Sequence, residues 1–254
     1  ILRHDFYVTE MESSFQKVGY YRRSVWNRIR SIATKKLELE KILQEQVSKS
    51  KNRLVSNIPS VVLRFVPKKR TVRPIMNMSR RSKRKRSATA QRGLSMNQLL
   101  KNTYKALKYE TERNTSLLGA AVYGYDDVYV KLKPFLKENK SKKLYFAALD
   151  IKTCYDSISP TRCFSIVENV FREAEYVFQR YSVVHPEPAD KAIRVEYVQQ
   201  ANALGNGRQF LQLSNDLAKS KRSAIFTDNV VYHSEEREKL ISILKEHIFN
   251  NVVS

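Results

Sequence analysis

A chain of 254 residues, 42% of them apolar, is long enough for one large domain or two smaller ones with a real core. Its 47 Lys and Arg against 25 Asp and Glu leave a net charge of +22, which points to a polyanion, nucleic acid before an anionic membrane surface. No stretch approaches the roughly 20 apolar residues that a transmembrane helix needs. Cys154 and Cys163 lack metal-ligand spacing, which fits a reducing compartment. His4, His185, His233 and His247 are scattered, which argues against a zinc site. The chain opens without a signal peptide or an initiator Met, so a fragment is expected.

Residues 5–10 (D-F-Y-V-T-E) alternate as a strand does. Residues 24–32 carry Val25, Trp26 and Ile29 among Arg22, Arg23, Arg28 and Arg30, the pattern of an amphipathic helix with a basic face. Over 35–48, Leu37, Ile42, Leu43 and Val47 keep helical spacing, as in a supporting helix. The period changes at 60–66 (S-V-V-L-R-F-V), a β-branched run that Pro67 closes. Lys68, Lys69, Arg70 and Thr71 read as a connection, and V-R-P-I-M-N-M resumes the strand pattern, so 60–78 is a hairpin with a basic tip. Arg73 sits inside the second strand; facing inward it would need an anionic partner, and a triphosphate would serve.

Residues 80–86 place Arg80, Arg81, Lys83 and Arg84 in the run R-R-S-K-R-K-R, too repulsive to fold alone. That loop is either a localisation signal or a contact to a nucleic-acid backbone. Ser95 with Gln98 three residues on reads as a capping box. The helix it opens carries Met96, Leu99, Leu100, Tyr104 and Leu107 at core spacing. Residues 123–127 spell Y-G-Y-D-D, which resembles the metal-binding hairpin of reverse transcriptases. Val128, Val130, Leu132, Phe135 and Leu136 follow it at helical spacing, however, and Asp126 and Asp127 fit better as first-turn acids of a helix.

Residues 143–158 (K-L-Y-F-A-A-L-D-I-K-T-C-Y-D-S-I) read as strand, acid, tight turn and helix start. Asp150 ends the apolar run 144–149. It is either a solvated acid or a ligand to a divalent ion, since a carboxylate at the end of a buried strand needs a partner. Ser159 and Pro160 open a helix to about residue 174. Residues 181–184, 194–198 and 224–231 read as strands, 205–207 as a turn and 235–250 as a final helix. No P-loop, dinucleotide fingerprint, Ser-His-Asp arrangement or repeat is present.

Taken together, R-F-V-P-K-K-R-T-V-R-P-I-M-N-M (64–78) resembles motifs 1 and 2 of the telomerase reverse transcriptases, and L-Y-F-A-A-L-D-I-K-T-C-Y-D-S-I (144–158) resembles their motif A. D-F-Y-V-T-E, Y-Y-R-R-S-V-W (20–26) and L-L-G-A-A-V-Y-G-Y-D-D (117–127) are similar to the same family in the same order. The resemblance implies an α/β (α+β) chain of the right-hand polymerase type. Fingers would occupy 1–140, a partial palm 141–175, and an α/β subdomain inserted in the fingers 176–254.

By matching position, Asp150 would bind catalytic Mg²⁺ with help from the carbonyl of Ile151. Lys68 and Arg73 would hold the phosphates of an incoming dNTP, and Tyr155 would exclude a 2′-hydroxyl. Arg80, Arg81, Lys83 and Arg84 are candidate nucleic-acid contacts. The reaction implied is two-metal nucleotidyl transfer to a telomeric DNA primer from a telomerase RNA template, in the nucleus at telomeres. The remaining partners implied are the rest of the catalytic subunit: motifs B to E, thumb and RNA-binding domain. No membrane is involved. After Asp156 nothing resembles the family's motif B or its later Asp pair, so the chain alone is expected to be inactive. The alternatives are a non-catalytic module that binds RNA–DNA hybrid, as a truncated isoform would, and a retroelement-type reverse transcriptase.

Overall fold

The computed structural model describes residues 2–11, 17–44, 58–81, 93–151, 154–186, 193–205, 210–220 and 224–253. They fall into two compact units. The N-terminal unit runs through Leu100 and takes in Lys245–Ser254; the central unit is Lys101–Leu244.

In the N-terminal unit a helical turn, α1 (Leu2–Asp5), leads into β1 (Phe6–Glu10), which pairs antiparallel with β2 (Val18–Arg22). Gly19 lies opposite Thr9, where a Cβ would come within 2.9 Å of the Tyr21 ring and 3.3 Å of Met11. Strand β2 passes directly into α2 (Arg23–Leu39), which runs beyond the end expected at residue 32. Leu37 therefore belongs to α2, the chain turns at Lys41 (φ 58°), and Val47 lies outside the described residues.

The expected hairpin at 60–78 forms as β3 (Val62–Pro67) and β4 (Val72–Asn77). Its connection closes where the Lys68 N–H donates to the Thr71 carbonyl at 2.7 Å. Strand β3 buries Phe65 and Val66, while its exposed Arg64 pairs with Glu10 at the end of β1. The capping box also forms. Ser95 Oγ accepts from the Gln98 N–H at 3.3 Å, Gln98 Oε1 accepts from the Ser95 N–H at 3.0 Å, and α3 (Met96–Leu99) follows. Met96 packs with Ile58 and Val61, and the Val61 N–H donates to the Val252 carbonyl at 2.8 Å.

In the central unit the helix expected to run on from Ser95 is broken at Leu100 and restarts as α4 (Lys101–Arg113). Its buried stripe is Thr103, Ala106 and Glu110, a spacing of three and then four residues. That stripe turns Tyr104 outward, 61% exposed, rather than into the core. A 3₁₀ turn (Thr115–Leu118) precedes α5 (Tyr125–Glu138). Asp126 and Asp127 occupy its first turn, as expected, and the Asp127 carboxylate accepts from the Tyr123 N–H at 3.2 Å. After α6 (Cys154–Ser157), α7 (Pro160–Val170) opens with Pro160 at its start and Ser159 Oγ accepting from the Arg162 N–H at 3.4 Å. It ends short of residue 174, leaving Phe171 buried just beyond it.

Three antiparallel strands follow: β5 (Glu175–Pro186), β6 (Ile193–Ala203) and β7 (Ile225–Glu236), in the order β6-β5-β7. All three outrun the apolar segments 181–184, 194–198 and 224–231, because polar residues such as Gln179 and Asn202 also pair, buried, in the ladder. Between β6 and β7 lies α8 (Phe210–Ser220), a helix not expected from the sequence, and α9 (Arg237–Phe249) closes the order. One face of the sheet sets Tyr176, Phe178 and Ala201 against α4, α7 and α9 through Ala106, Phe164 and Leu240. On the other, Tyr181 and Val183 meet Leu217 of α8 and Phe226.

Glu110 is the charged residue at the centre of this packing, only 1% exposed. The Tyr176 hydroxyl donates to its Oε1 at 2.6 Å, and the Arg172 N–H donates to the same oxygen at 3.3 Å. The Tyr176 oxygen in turn accepts from the Arg172 and Glu173 N–H groups at 3.2 and 3.3 Å. Burial and the bond to Glu110 push the Tyr176 hydroxyl well above its ordinary pKa, which keeps it a donor at any physiological pH. Tyr176→Phe should lower stability by about 1–3 kcal/mol, because it strips a buried carboxylate of its shortest partner. Chemical denaturation with an unchanged midpoint would show that the network contributes nothing.

Candidate nucleic-acid interface

The basic helix and the β1–β2 hairpin are joined by rings. Tyr7 stacks on Trp26 with centroids 4.4 Å apart and planes 9° from parallel, and Tyr21 approaches the same indole at 5.2 Å. Tyr7 and Tyr21 face each other across the hairpin register, so one buried indole fixes α2 against both strands. Trp26 is the one buried residue of α2, and this leaves Arg23, Arg28, Arg30, Lys35 and Lys36 exposed.

At the start of α2, Arg22 stands at the N-cap without a side-chain cap, and no acid occupies the first turn. An open cleft of about 420 Å³ there is lined by His4, Asp5, Phe6, Arg22, Arg23 and Ser24. A second of about 340 Å³ runs along the helix past Asn27, Arg30, Ser31, Thr34, Lys35 and Glu38. Helix N–H groups, guanidinium forks and hydroxyls along one helix are suited to phosphates. Sequence reasoning assigned no site role to Arg22, Arg23 or Trp26. The signal was present in the aromatic alternation of F-Y-V and Y-Y running into R-R-S-V-W.

The other sequence candidates fall in two places. Lys68, Lys69 and Arg70 form the exposed tip of the β3–β4 hairpin, and Arg73 stands opposite Val66. Arg73 is exposed rather than inward-facing, because β3 presents its apolar residues to the core while β4 stays largely in solvent. Arg80 and Arg81 are exposed, Arg81 bridging to Ser95; Lys83 and Arg84 lie outside the described residues. Lys68 and Arg73 thus share one hairpin of the N-terminal unit, whereas Asp150, Ile151 and Tyr155 belong to the central unit.

The strand expected at 144–149 does not form. Among the described residues no strand lies beside it to complete a ladder, and an unpaired strand has no reason to persist. Asp150 and Ile151 are exposed, as are Leu149 at 96% and Tyr155 at 90%. Among the described residues no group of three His, Cys, Asp or Glu is placed to hold a metal ion. Among the described residues Asp150 offers a single exposed carboxylate, which does not by itself fit a two-ion centre.

Comparison with known proteins gives this geometry a relationship. Residues 1–37, the segment built around Trp26, match the family described as the RNA binding domain of the telomerase ribonucleoprotein complex. The sequence reading grouped those residues with the fingers; the match aligns them with an RNA-binding domain. The telomerase reverse transcriptase of Rattus norvegicus is 27% identical over 92% of this chain and 22% of its own length. That of Canis lupus familiaris is 31% identical over 72% of this chain and 17% of its own, and that of Euplotes aediculatus 34% identical over 63% and 16%. The structure of apo telomerase from Candida tropicalis superposes with a TM-score of 0.55 at 18% identity, over 99% of this chain and 37% of that one.

The mixed α/β fold is therefore that of part of a telomerase structure. By sequence the chain is homologous to a stretch of telomerase reverse transcriptase, and it spans about a fifth of the length of the rat relative.

Trp26→Ala should destabilise the N-terminal unit by about 3–5 kcal/mol, the usual cost of deleting a buried indole. Hydrogen exchange across β1 and β2 reads the effect directly. Unaltered protection there would mean that the rings do not join helix to hairpin.

Proposed function

We propose that this protein acts in an RNA-directed DNA polymerase that extends chromosome ends in the nucleus, and that its N-terminal unit holds the template-bearing RNA. The observation that carries this reading is the coincidence of the RNA-binding match at 1–37 with the arginine-lined face of α2. Phosphates lie along the two clefts, with Arg22 and Arg23 at the helix start and Arg30 and Lys35 a few turns on. The β3–β4 hairpin belongs to the polymerase fingers, and Lys68 and Arg73 bind the triphosphate of the incoming nucleotide. An ammonium and a guanidinium stabilise that charge in complementary ways, one as a point and one as a fork. Arg80 and Arg81 contact the nucleic-acid backbone.

Residues 141–175 belong to the palm, and 176–254 to a subdomain inserted in the fingers. In the whole enzyme Asp150 would be one ligand of the Mg²⁺ centre, with the Ile151 carbonyl beside it, and Tyr155 would discriminate against the 2′-hydroxyl. No step of transfer is assigned to this chain, since the described residues do not build the two-ion site. The alternative reading is a non-catalytic module that binds an RNA–DNA hybrid.

Replacing Arg22, Arg23 and Arg30 together by Gln should weaken RNA binding at least tenfold. It should also flatten the dependence of log affinity on log salt by about 0.7 per lost contact. Filter binding across a salt series measures both, and an unchanged slope would remove α2 from the interface. Asp150→Ala, made in the whole enzyme, should abolish primer extension while RNA affinity is kept. Extension at the parental rate would refute the metal role and leave the binding module as the surviving reading.

A further inference from the structure

Among the described residues, the helices of the central unit cover one end of a sheet face and leave the outer strands at its other end exposed. Along β5, Tyr176 and Phe178 lie under α4, α7 and α9, and the next residues on the same face are exposed Arg180, buried Ser182 and half-buried Val184. Their neighbours in register are Gln199, Tyr197 and Val195 on β6, and Val231, Thr227 and Ile225 on β7. Of these, Tyr197, Val195, Val231 and Ile225 are exposed, Tyr197 at 62%. An antiparallel sheet that shows water this many apolar and aromatic side chains on one face has the form of a stacking platform.

Cations gather at its edge. The Arg180 guanidinium lies over the Tyr197 ring, 4.9 Å from the centroid. Gln199 Nε2 donates to Asn102 Oδ1 at 2.8 Å, which sets the first turn of α4, with Lys101 and Lys105, beside Arg180. Burial, then the charges of Arg180 and Lys105, hold the Lys101 ammonium below its ordinary pKa, so the three cations act on one another. Lys105 also stands 6.0 Å from the centroid of exposed Tyr104. Glu235, which reaches Asn102, does not neutralise the group: it is engaged by His233 and Lys239, both at 3.1 Å. Glu196 pairs with His185 on the opposite face.

We propose that this platform, with Arg180, Lys101 and Lys105 for phosphates and Tyr197 and Tyr104 for bases, is a docking surface for single-stranded DNA. Phosphate charge matches the three cations, and unpaired bases alone expose π faces to exposed tyrosines. A guanidinium already stacked on a ring keeps its N–H edge for phosphate and loses little freedom on binding. The amides at hand, Asn102 and Gln199, bond each other, so the surface reads backbone and base faces rather than sequence. The choice of DNA rests on the function proposed above, in which RNA occupies the N-terminal unit and DNA is the strand made.

The test is photocrosslinking of the protein to a 15-mer of thymidine carrying 5-iododeoxyuridine, with adducts mapped by peptide mass spectrometry. Adducts should fall on Tyr197 or Tyr104. Their yield should drop at least fivefold in Arg180→Gln and in Lys101→Gln, two exposed substitutions that leave the core intact. Adducts confined to other peptides, or yields unchanged in both variants, overturn the proposal. So does a matching 5-iodouridine RNA that labels Tyr197 where the DNA does not. Arg22→Gln with Arg23→Gln separates the two readings: the Tyr197 adduct should persist in that variant. Loss of RNA binding there supports the function proposed above, and retained RNA binding with the adduct intact defeats that function alone.

Discussion

The central unit depends on a carboxylate where no carboxylate is cheap. Glu110 is buried on the inner side of α4, and it persists because a tyrosine hydroxyl and a backbone N–H converge on one of its oxygens. Removing an ionised group from water without such partners costs several kcal/mol. The bonds that satisfy it come from the junction between α7 and β5, which fixes how α4 lies on the sheet. At the other end of α4 a second polar contact, Asn102 to Gln199, sets the angle. Lys101 and Lys105 are brought beside Arg180 by these two anchors and not by any attraction of their own. A cluster of like charges needs such a frame, because it lowers stability by itself.

The N-terminal unit solves the complementary problem with rings. Its helix is rich in arginine and has one buried residue, so little apolar surface holds it down. Trp26 supplies most of that surface through two tyrosines from opposite strands. In both units the device is the same: a small, well-partnered contact buries one side of an element so that its basic side can remain in water. Ion pairs such as Arg64 with Glu10 and Arg113 with Glu173 tie single basic residues to neighbouring elements. The excess of 47 basic over 25 acidic residues leaves a net charge of +22 whatever the pairing.

What was legible in the sequence was local. The hairpin at 62–77 follows from β-branched runs around a basic connection, the capping box from Ser95 and Gln98, and the helical start at Asp126 from the spacing that follows it. The buried face of α4 was misjudged because Leu and Tyr outrank Thr and Glu on any hydrophobic scale. Glu110 becomes a core residue only through Tyr176, 66 positions away. The strands of the sheet were cut short for a similar reason, since Gln179 and Asn202 bond each other in the ladder and look like loop residues until paired. The Trp26 stack joins Tyr21 from nearby in sequence and Tyr7 from the preceding strand, and it went unassigned because aromatics in a strand read equally well as core.

The segment 144–151 shows how far side-chain chemistry depends on neighbours. Its residue types are those of a buried strand, yet Leu149, Asp150 and Ile151 are all exposed. Mg²⁺ gives up its own water reluctantly and takes one or two carboxylates only where further oxygens complete its octahedron. An isolated exposed aspartate offers neither the second ligand nor the low dielectric that would strengthen the first. A catalytic role for Asp150 therefore requires the apolar run before it to be paired in a sheet. That pairing would shield the carboxylate from water and bring other ligands within reach. Covering the strand and completing the metal site are one physical event, and an Asp150 that bound metal without the strand being paired would need a different explanation for every apolar residue in 144–149.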